Sequence, residues 1–190
     1  MGGEAVNTIV TSREQILKAS RGLIREKGWS AVNIRSVAGA CGVSVGSIYN
    51  YFSSKEELVE AAVESVWKDI FHPPQDPAVL TSIEACVVWL WERMAYGSRE
   101  YPGFFTLHAV SFLGMEKSGG RQRMEQTWRH ILGSLQRVLE RDPRIRPGAF
   151  DPEFTAEKFA DILFSLLLSA LLRGDCDPAP VLEIIRRTLY

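Results

Sequence analysis

Between Asn33 and Phe52 the sequence carries two helix signals, each too short to stand alone, separated by a Cys-Gly-Val-Ser turn. Isolated helices below about 12–15 residues are marginal in water, so both segments must be held by packing. The first is predicted over residues 34–40, with Asn33 as its cap. Gly42 then offers a turn with cheap access to positive φ. Ser44 caps the second, which is predicted to run to about Phe52. Ile34, Val37 and Ala38 form the inward stripe of the first helix, and small Ala38 lets the second cross closely. Val43 fills the space between them, while Ile48 and Phe52 bury the inner face of the second. Two short helices meeting steeply about such a turn make a helix-turn-helix. The face left outside is Ser44, Val45, Gly46, Ser47, Asn50 and Tyr51. These residues are mostly small and polar, so the helix can lie deep in a DNA major groove.

The rest of the chain also reads as helix. Val/Ile/Thr-rich alternation and the Asn-Gly or Asp-Gly hairpin signals are missing. A first helix opens at Thr11 or Ser12, with Glu14 in its first turn and Ile16, Leu17, Ala19, Leu23 and Ile24 on its apolar face. Gly28 ends it, after Arg25 and Lys27. Ser53 or Ser54 caps a fourth helix, with Glu56 and Glu57 in its first turn, running to about Phe71. The run from His72 to Pro77 breaks the chain. Further helices are expected at roughly residues 78–99, 101–115, 120–140, 154–173 and 179–189. The expected fold is all-α: a three-helix head with a helix-turn-helix (residues 1–54), joined by the fourth helix to a larger helical body (residues 55–190).

Charge separates the same two parts. Up to residue 55 there are seven Lys/Arg against three Asp/Glu; beyond it, fifteen against twenty. A basic head on an acidic body suggests that only the head meets a polyanion. Cys41, Cys86 and Cys176 are odd in number and scattered, as in a reduced cytoplasmic protein without disulfides or structural zinc. The apolar run at residues 162–172 is shorter than the roughly 20 residues a membrane span needs, so no membrane partner is expected. His72, His108 and His130 lack metal-ligand spacing. No nucleophile-elbow, zinc-protease, Walker or dinucleotide pattern occurs. Catalytic residues, a metal and a cofactor are therefore not expected.

The string Asn33-Ile34-Arg35-Ser36-Val37-Ala38, then Cys41-Gly42-Val43-Ser44-Val45-Gly46-Ser47-Ile48-Tyr49-Asn50-Tyr51-Phe52, then Ser54-Lys55-Glu56-Glu57-Leu58, resembles the DNA-binding head of TetR-type (tetracycline-repressor-like) transcriptional regulators. The resemblance covers roughly residues 12–62. Asn33 departs from the Thr usual there, and Cys41 from a common Ala. Cys41 is either a redox sensor or a small, mostly buried stand-in for Ala. The resemblance implies that Tyr49 and Lys55 bind phosphate oxygens. Base reading would fall to Arg35, Val45, Gly46, Ser47 and Asn50. Chemically, Arg35 suits guanine O6 and N7, Asn50 adenine N6 and N7, and Val45 a thymine methyl. Tyr51 is either a phosphate contact or packing. Asn33 and Ser44 complete the candidate DNA-contacting set.

Helix-turn-helix proteins usually dimerise and read two half-sites about 34 Å apart. Residues 154–173 are apolar on nearly every face, so that helix should be buried on all sides. The resemblance implies that the last two helices of each subunit form an intersubunit four-helix bundle, with Phe164, Leu167, Leu168, Leu171, Ile184 and Ile185 as candidate interface. It also implies a small-molecule effector held within the body, whose binding releases DNA. Trp67, Phe71, Trp89, Met94, Phe105, His108, Phe112 and Trp128 are candidate lining for a hydrophobic or aromatic ligand. Aromatics at helical spacing are equally the makings of a core. The fourth helix is the expected lever of a two-state equilibrium. The reading is a ligand-responsive homodimeric repressor of a palindromic double-stranded DNA operator. The alternative is a helix-turn-helix regulator without a small-molecule ligand, acting through a protein partner.

Overall fold

Helix α1, Arg13–Lys27, starts at a reciprocal cap. The Gln15 N–H donates to Ser12 Oγ at 3.2 Å, and the Ser12 N–H donates to Gln15 Oε1 at 3.1 Å. Two donors that every helix start leaves open are thereby satisfied. A 3-10 turn, Trp29–Ala31, leads to α2, Ile34–Cys41. Asn33 Oδ1 caps α2 by accepting from the Ser36 N–H at 3.0 Å. Gly42 closes α2 in the left-handed region at φ 66°, where a side chain would be strained. Helix α3, Val45–Tyr49, is only five residues long. It stops short of the expected Phe52, although the Tyr51 and Phe52 N–H groups still turn back to the Ile48 carbonyl. Helix α4, Lys55–Ile70, is capped by Ser54 Oγ, which accepts from the Glu57 N–H at 3.1 Å.

The computed structural model describes residues 11–105, 107, 119–175 and 177–190. Among these all regular structure is helical, in agreement with the all-α expectation. The chain divides into two units inside α4, between Val66 and Trp67.

In the first unit Ile16, Val37, Ile48, Phe52 and Leu58 are fully covered. Burying such a side chain contributes about 1.5–3 kcal/mol, which is how a five-residue helix is held in place. Ala61, Ala62 and Val66 on α4 are also buried, and the Arg21 guanidinium donates to Ser65 Oγ. The early turns of α4 thus belong to the head.

The second unit holds a 3-10 turn, Pro77–Thr81, and helices α5 (Ile83–Glu100), α6 (Gly119–Arg141), α7 (Ala156–Arg173) and α8 (Ala179–Leu189). The single helix expected over 78–99 is two elements. Asp76 Oδ1 accepts from the Ala78 N–H at 2.8 Å, the Thr81 hydroxyl donates to the Ala78 carbonyl at 2.7 Å, and Ser82 caps α5 afresh. Of the helix expected at 101–115, Tyr101, Pro102 and Gly103 form a turn and Phe104, Phe105 and Leu107 are helical; residues 106 and 108–115 lie outside the described residues.

Trp67 is the hub of the body core. Its ring lies 5.2 Å from that of Phe104, 5.3 Å from Trp128, and 5.6 Å from both Phe71 and Phe105. Trp128 meets Phe164 edge-on at 4.9 Å, tying α6 to α7. Gly97 marks a close approach: a Cβ there would sit 2.8 Å from Ile70 Cδ1 and Phe105 Cζ. The Arg93 guanidinium donates to the Asp69 and Ile70 carbonyls, and so caps the last turn of α4.

A second fixed point surrounds Asp142, which is buried just after α6. Its carboxylate accepts from the Ile83 N–H at 2.9 Å, the Tyr190 hydroxyl at 2.6 Å and the Arg144 N–H at 3.0 Å. Burial opposes ionisation of this carboxyl. The hydrogen bonds from Tyr190, Ile83 and Arg144 prevail and hold it below the usual carboxylate range.

Candidate nucleic-acid interface and body cavity

The turn after Gly42 presents the start of α3 to solvent. Ser44 Oγ accepts from the Ser47 N–H at 3.1 Å and lies 2.9 Å from Ser47 Oγ, so the two hydroxyls are locked as a pair. Val45, Gly46, Tyr49 and Asn50 are exposed, Tyr49 at 50% and Val45 at 40%. Ile48 holds the opposite side of α3 in the core. An exposed phenol, an amide, two hydroxyls and a branched apolar side chain therefore share one outward face. Such a set can contact phosphate oxygens and base edges together.

The remaining head candidates divide into two kinds. Arg35 and Lys55 are exposed, and Lys55 stands on the first turn of α4, where the helix dipole favours an approaching phosphate. Asn33 and Tyr51 are already engaged. Besides its cap, the Asn33 amide donates to Ser36 Oγ at 2.9 Å. The Tyr51 hydroxyl donates to the Thr11 carbonyl at 2.6 Å, and Arg13 donates to the Tyr51 carbonyl at 3.3 Å. Tyr51 thus braces the start of α1 against the end of α3. Burial pushes the Cys41 thiol up from its ordinary value, a direction that disfavours the thiolate.

In the body, Trp67, Met94, Phe105 and Trp128 are buried in the aromatic core. They are ring-to-ring neighbours or core filler, and do not line the larger cavity. His108 and Phe112 lie outside the described residues, as does Cys176. A cavity of about 440 Å³ does open at the end of α4. Phe71 and Trp89 are among its walls. Its other walls come from residues the sequence did not single out: Lys68 on α4, Pro73 and Pro74 after it, Leu80 on the 3-10 turn, Cys86 and Leu90 on α5, and His130, Ile131, Ser134 and Arg137 on α6. A usable signal was present: His130, Ser134 and Arg137 are spaced four and three residues apart, on one helix face.

The candidate dimer residues divide by exposure within the single chain. Phe164, Leu167, Leu171 and Ile185 are buried within their own chain, Leu168 is half-buried, and Ile184 is exposed. The large apolar side chains that α7 and α8 turn outward are Ile162, Leu172 and Ile184. A helix apolar all round has one face for its own core and another left over. Sequence spacing alone does not say which is which.

Among the described residues no group of three or more potential metal ligands is found, and no helix is long and apolar enough to cross a membrane. Residues 16–62 match the family model of bacterial regulatory proteins, tetR family. The HTH-type transcriptional regulator YerO of Bacillus subtilis is 42% identical over 52 residues, a match spanning 27% of this chain and 18% of YerO. The similarity to that relative is thus confined to a head-sized segment. Over the whole chain the likeness is one of fold. The reduced form of Escherichia coli NemR superposes with a TM-score of 0.64 at 17% identity, covering 94% of this chain and 97% of that one. SmeT, the repressor of the Stenotrophomonas maltophilia multidrug efflux pump SmeDEF, gives 0.58 at 18% identity, covering 90% and 82%. Residues 16–62 thus carry a head matched in sequence by the tetR family model, and the helical body is similar in fold to solved regulators.

Proposed function

We propose that the protein is a homodimeric repressor that binds a palindromic DNA operator in the cytoplasm and is released from it by a small molecule bound in the body. The observation that carries this reading is the outward face of α3, where Ser44, Val45, Tyr49 and Asn50 stand exposed and half-buried Ser47 is paired with Ser44, over a buried Ile48. Tyr49 and Lys55 position the head on phosphates. Arg35, Val45, Ser47 and Asn50 read bases, and Gly46 permits close approach. A lone head of this size supports weak binding, so a second copy is recruited through the outward faces of α7 and α8, centred on Ile162, Leu172 and Ile184. The cavity of about 440 Å³ falls within the roughly 300–1,000 Å³ typical of small-molecule sites. Its ligand acts only by binding one arrangement of the two heads better than the other. Helix α4, continuous from Lys55 to Ile70, is the element through which that preference passes.

The test is selection of bound fragments from a random duplex pool at fixed salt, with wild type, Tyr49→Phe and Asn50→Ala. Wild type should enrich a palindrome. Tyr49→Phe should weaken all sites alike, and Asn50→Ala should relax one position by about 1–3 kcal/mol. Weak, salt-sensitive binding without any enriched sequence would overturn the reading.

A further inference from the structure

Trp67 carries a buried donor without an acceptor. Only 1% of the residue is exposed, and its indole N–H finds no hydrogen-bond partner among the described residues. A buried tryptophan N–H ordinarily has one, and leaving it unpaired costs free energy. The rings of Phe104 and Trp128, which meet Trp67 at 59° and 61°, offer at most a weak π acceptor. Beside Trp67 lies a narrow gap walled by Phe71, Ile131, Phe164, Leu167 and Leu171, too tight to hold a water molecule. None of its described walls brings a side-chain acceptor. Phe71 and Ile131 are also walls of the larger cavity, so these two side chains partition one space from the other. Both are half-buried. Phe71 lies just past the end of α4, its ring stacked on Trp67 at 5.6 Å. It can turn aside without unpacking the enclosed rings behind it.

We propose that a ligand in the larger cavity displaces Phe71, enters the gap and places a neutral hydrogen-bond acceptor on the Trp67 N–H. The inference rests on the ligand-responsive reading above and adds the chemical class of the ligand: an apolar molecule whose inner end bears a ketone, ester or ether oxygen. A charged group in the gap would lose its hydration among apolar walls. A pure hydrocarbon would leave the donor unpaired. Because Phe71 follows directly on Ile70, a ligand that moves it acts on the last turn of α4.

Benzophenone and diphenylmethane, which differ in a carbonyl against a methylene, separate the cases. Both are measured on the full chain by equilibrium dialysis, and the readout is the ratio of their affinities, in which changes of fit common to both cancel. Trp67→Phe should lower the ketone's affinity relative to the hydrocarbon's by about tenfold. Should that variant fail to fold, benzothienylalanine placed at Trp67 keeps the shape of the indole without its N–H, and should give the same drop. Trp91→Phe should leave the ratio alone: Trp91 is buried and its N–H also lacks a hydrogen-bond partner among the described residues, but it walls neither space. The infrared carbonyl stretch of bound benzophenone should lie at lower wavenumber in wild type than in the benzothienyl variant. An unchanged ratio in the Trp67 variants, or no binding of either compound, overturns the proposal. DNA release is scored separately. Release of selected DNA by both compounds, with the ratio unchanged in the Trp67 variants, overturns the acceptor inference and leaves the ligand-responsive reading standing. A lowered ratio, with no effect of either compound on DNA, supports the acceptor site and defeats that reading.

Discussion

Tyr49 and Trp67 are both large aromatics on helices, eighteen residues apart in the sequence, yet one is half exposed and the other is covered by rings on several sides. In the head, a five-residue helix has one side for the core and one for solvent, so an aromatic that is not at the Ile48 position has nowhere to hide. In the body, long helices surround one another, and an aromatic-rich stretch produces either a cavity or a packed cluster. Here it produces the cluster, and the cavity forms beside it from prolines, cations and α5 side chains. The comparison teaches that residue type identifies a binding surface only where the geometry leaves a single outward side.

The sharpest way to break this contrast is Trp67→Ala. As a core hub it should cost about 3–5 kcal/mol, read as a lowered unfolding midpoint in urea. A loss under about 1 kcal/mol would instead make Trp67 the wall of an open space, and the contrast with Tyr49 would fall. Next in size is Asp142→Asn. The native pKa of Asp142 is lowered, so its stabilisation is present above the ordinary carboxylate pKa of about 4 and is lost as pH falls through the lowered native value. The substitution should remove roughly 1.5–3 kcal/mol at pH 7 and flatten the acid limb of the stability profile. A variant whose acid limb runs parallel to wild type would show that other carboxylates set the pH dependence. The smallest effect sharpens the head. Asn33→Ala should cost about 1 kcal/mol as a lost cap, and Asn33→Thr should restore most of it. If Asn33→Thr folds like wild type but alters the selected DNA sequence, Asn33 reads bases as well as capping α2.

Much of the head was legible because its determinants are local. Asn33, Ser44 and Gly42 each act on groups within four residues, and the spacing that reveals them is also the spacing at which they bond. The bounds of α8 were equally plain, from its breakers alone. The start of α5 was missed because Ser82 lies inside an apolar run that periodicity reads straight through. The cavity walls were missed for a different reason. Lys68, Leu80, Leu90 and Arg137 are brought together by packing across tens of residues, which no window of sequence contains. The dimer candidates were chosen for being apolar, and the most apolar positions, Phe164 and Leu167 among them, are those that the chain's own core takes first.

The hydrogen bonds around Asp142 also set an order of events during synthesis. They join Ile83, Asp142 and Tyr190, so one node needs atoms from the opening of the body and from the last residue of the sequence. The head, whose groups all precede residue 67, can fold as a unit while the ribosome is still adding α5 to α8. At about 5–20 residues per second, the body's first helices wait several seconds for the tyrosine that completes their anchor. A nascent chain of this protein therefore completes its helix-turn-helix before the anchor of its body can close.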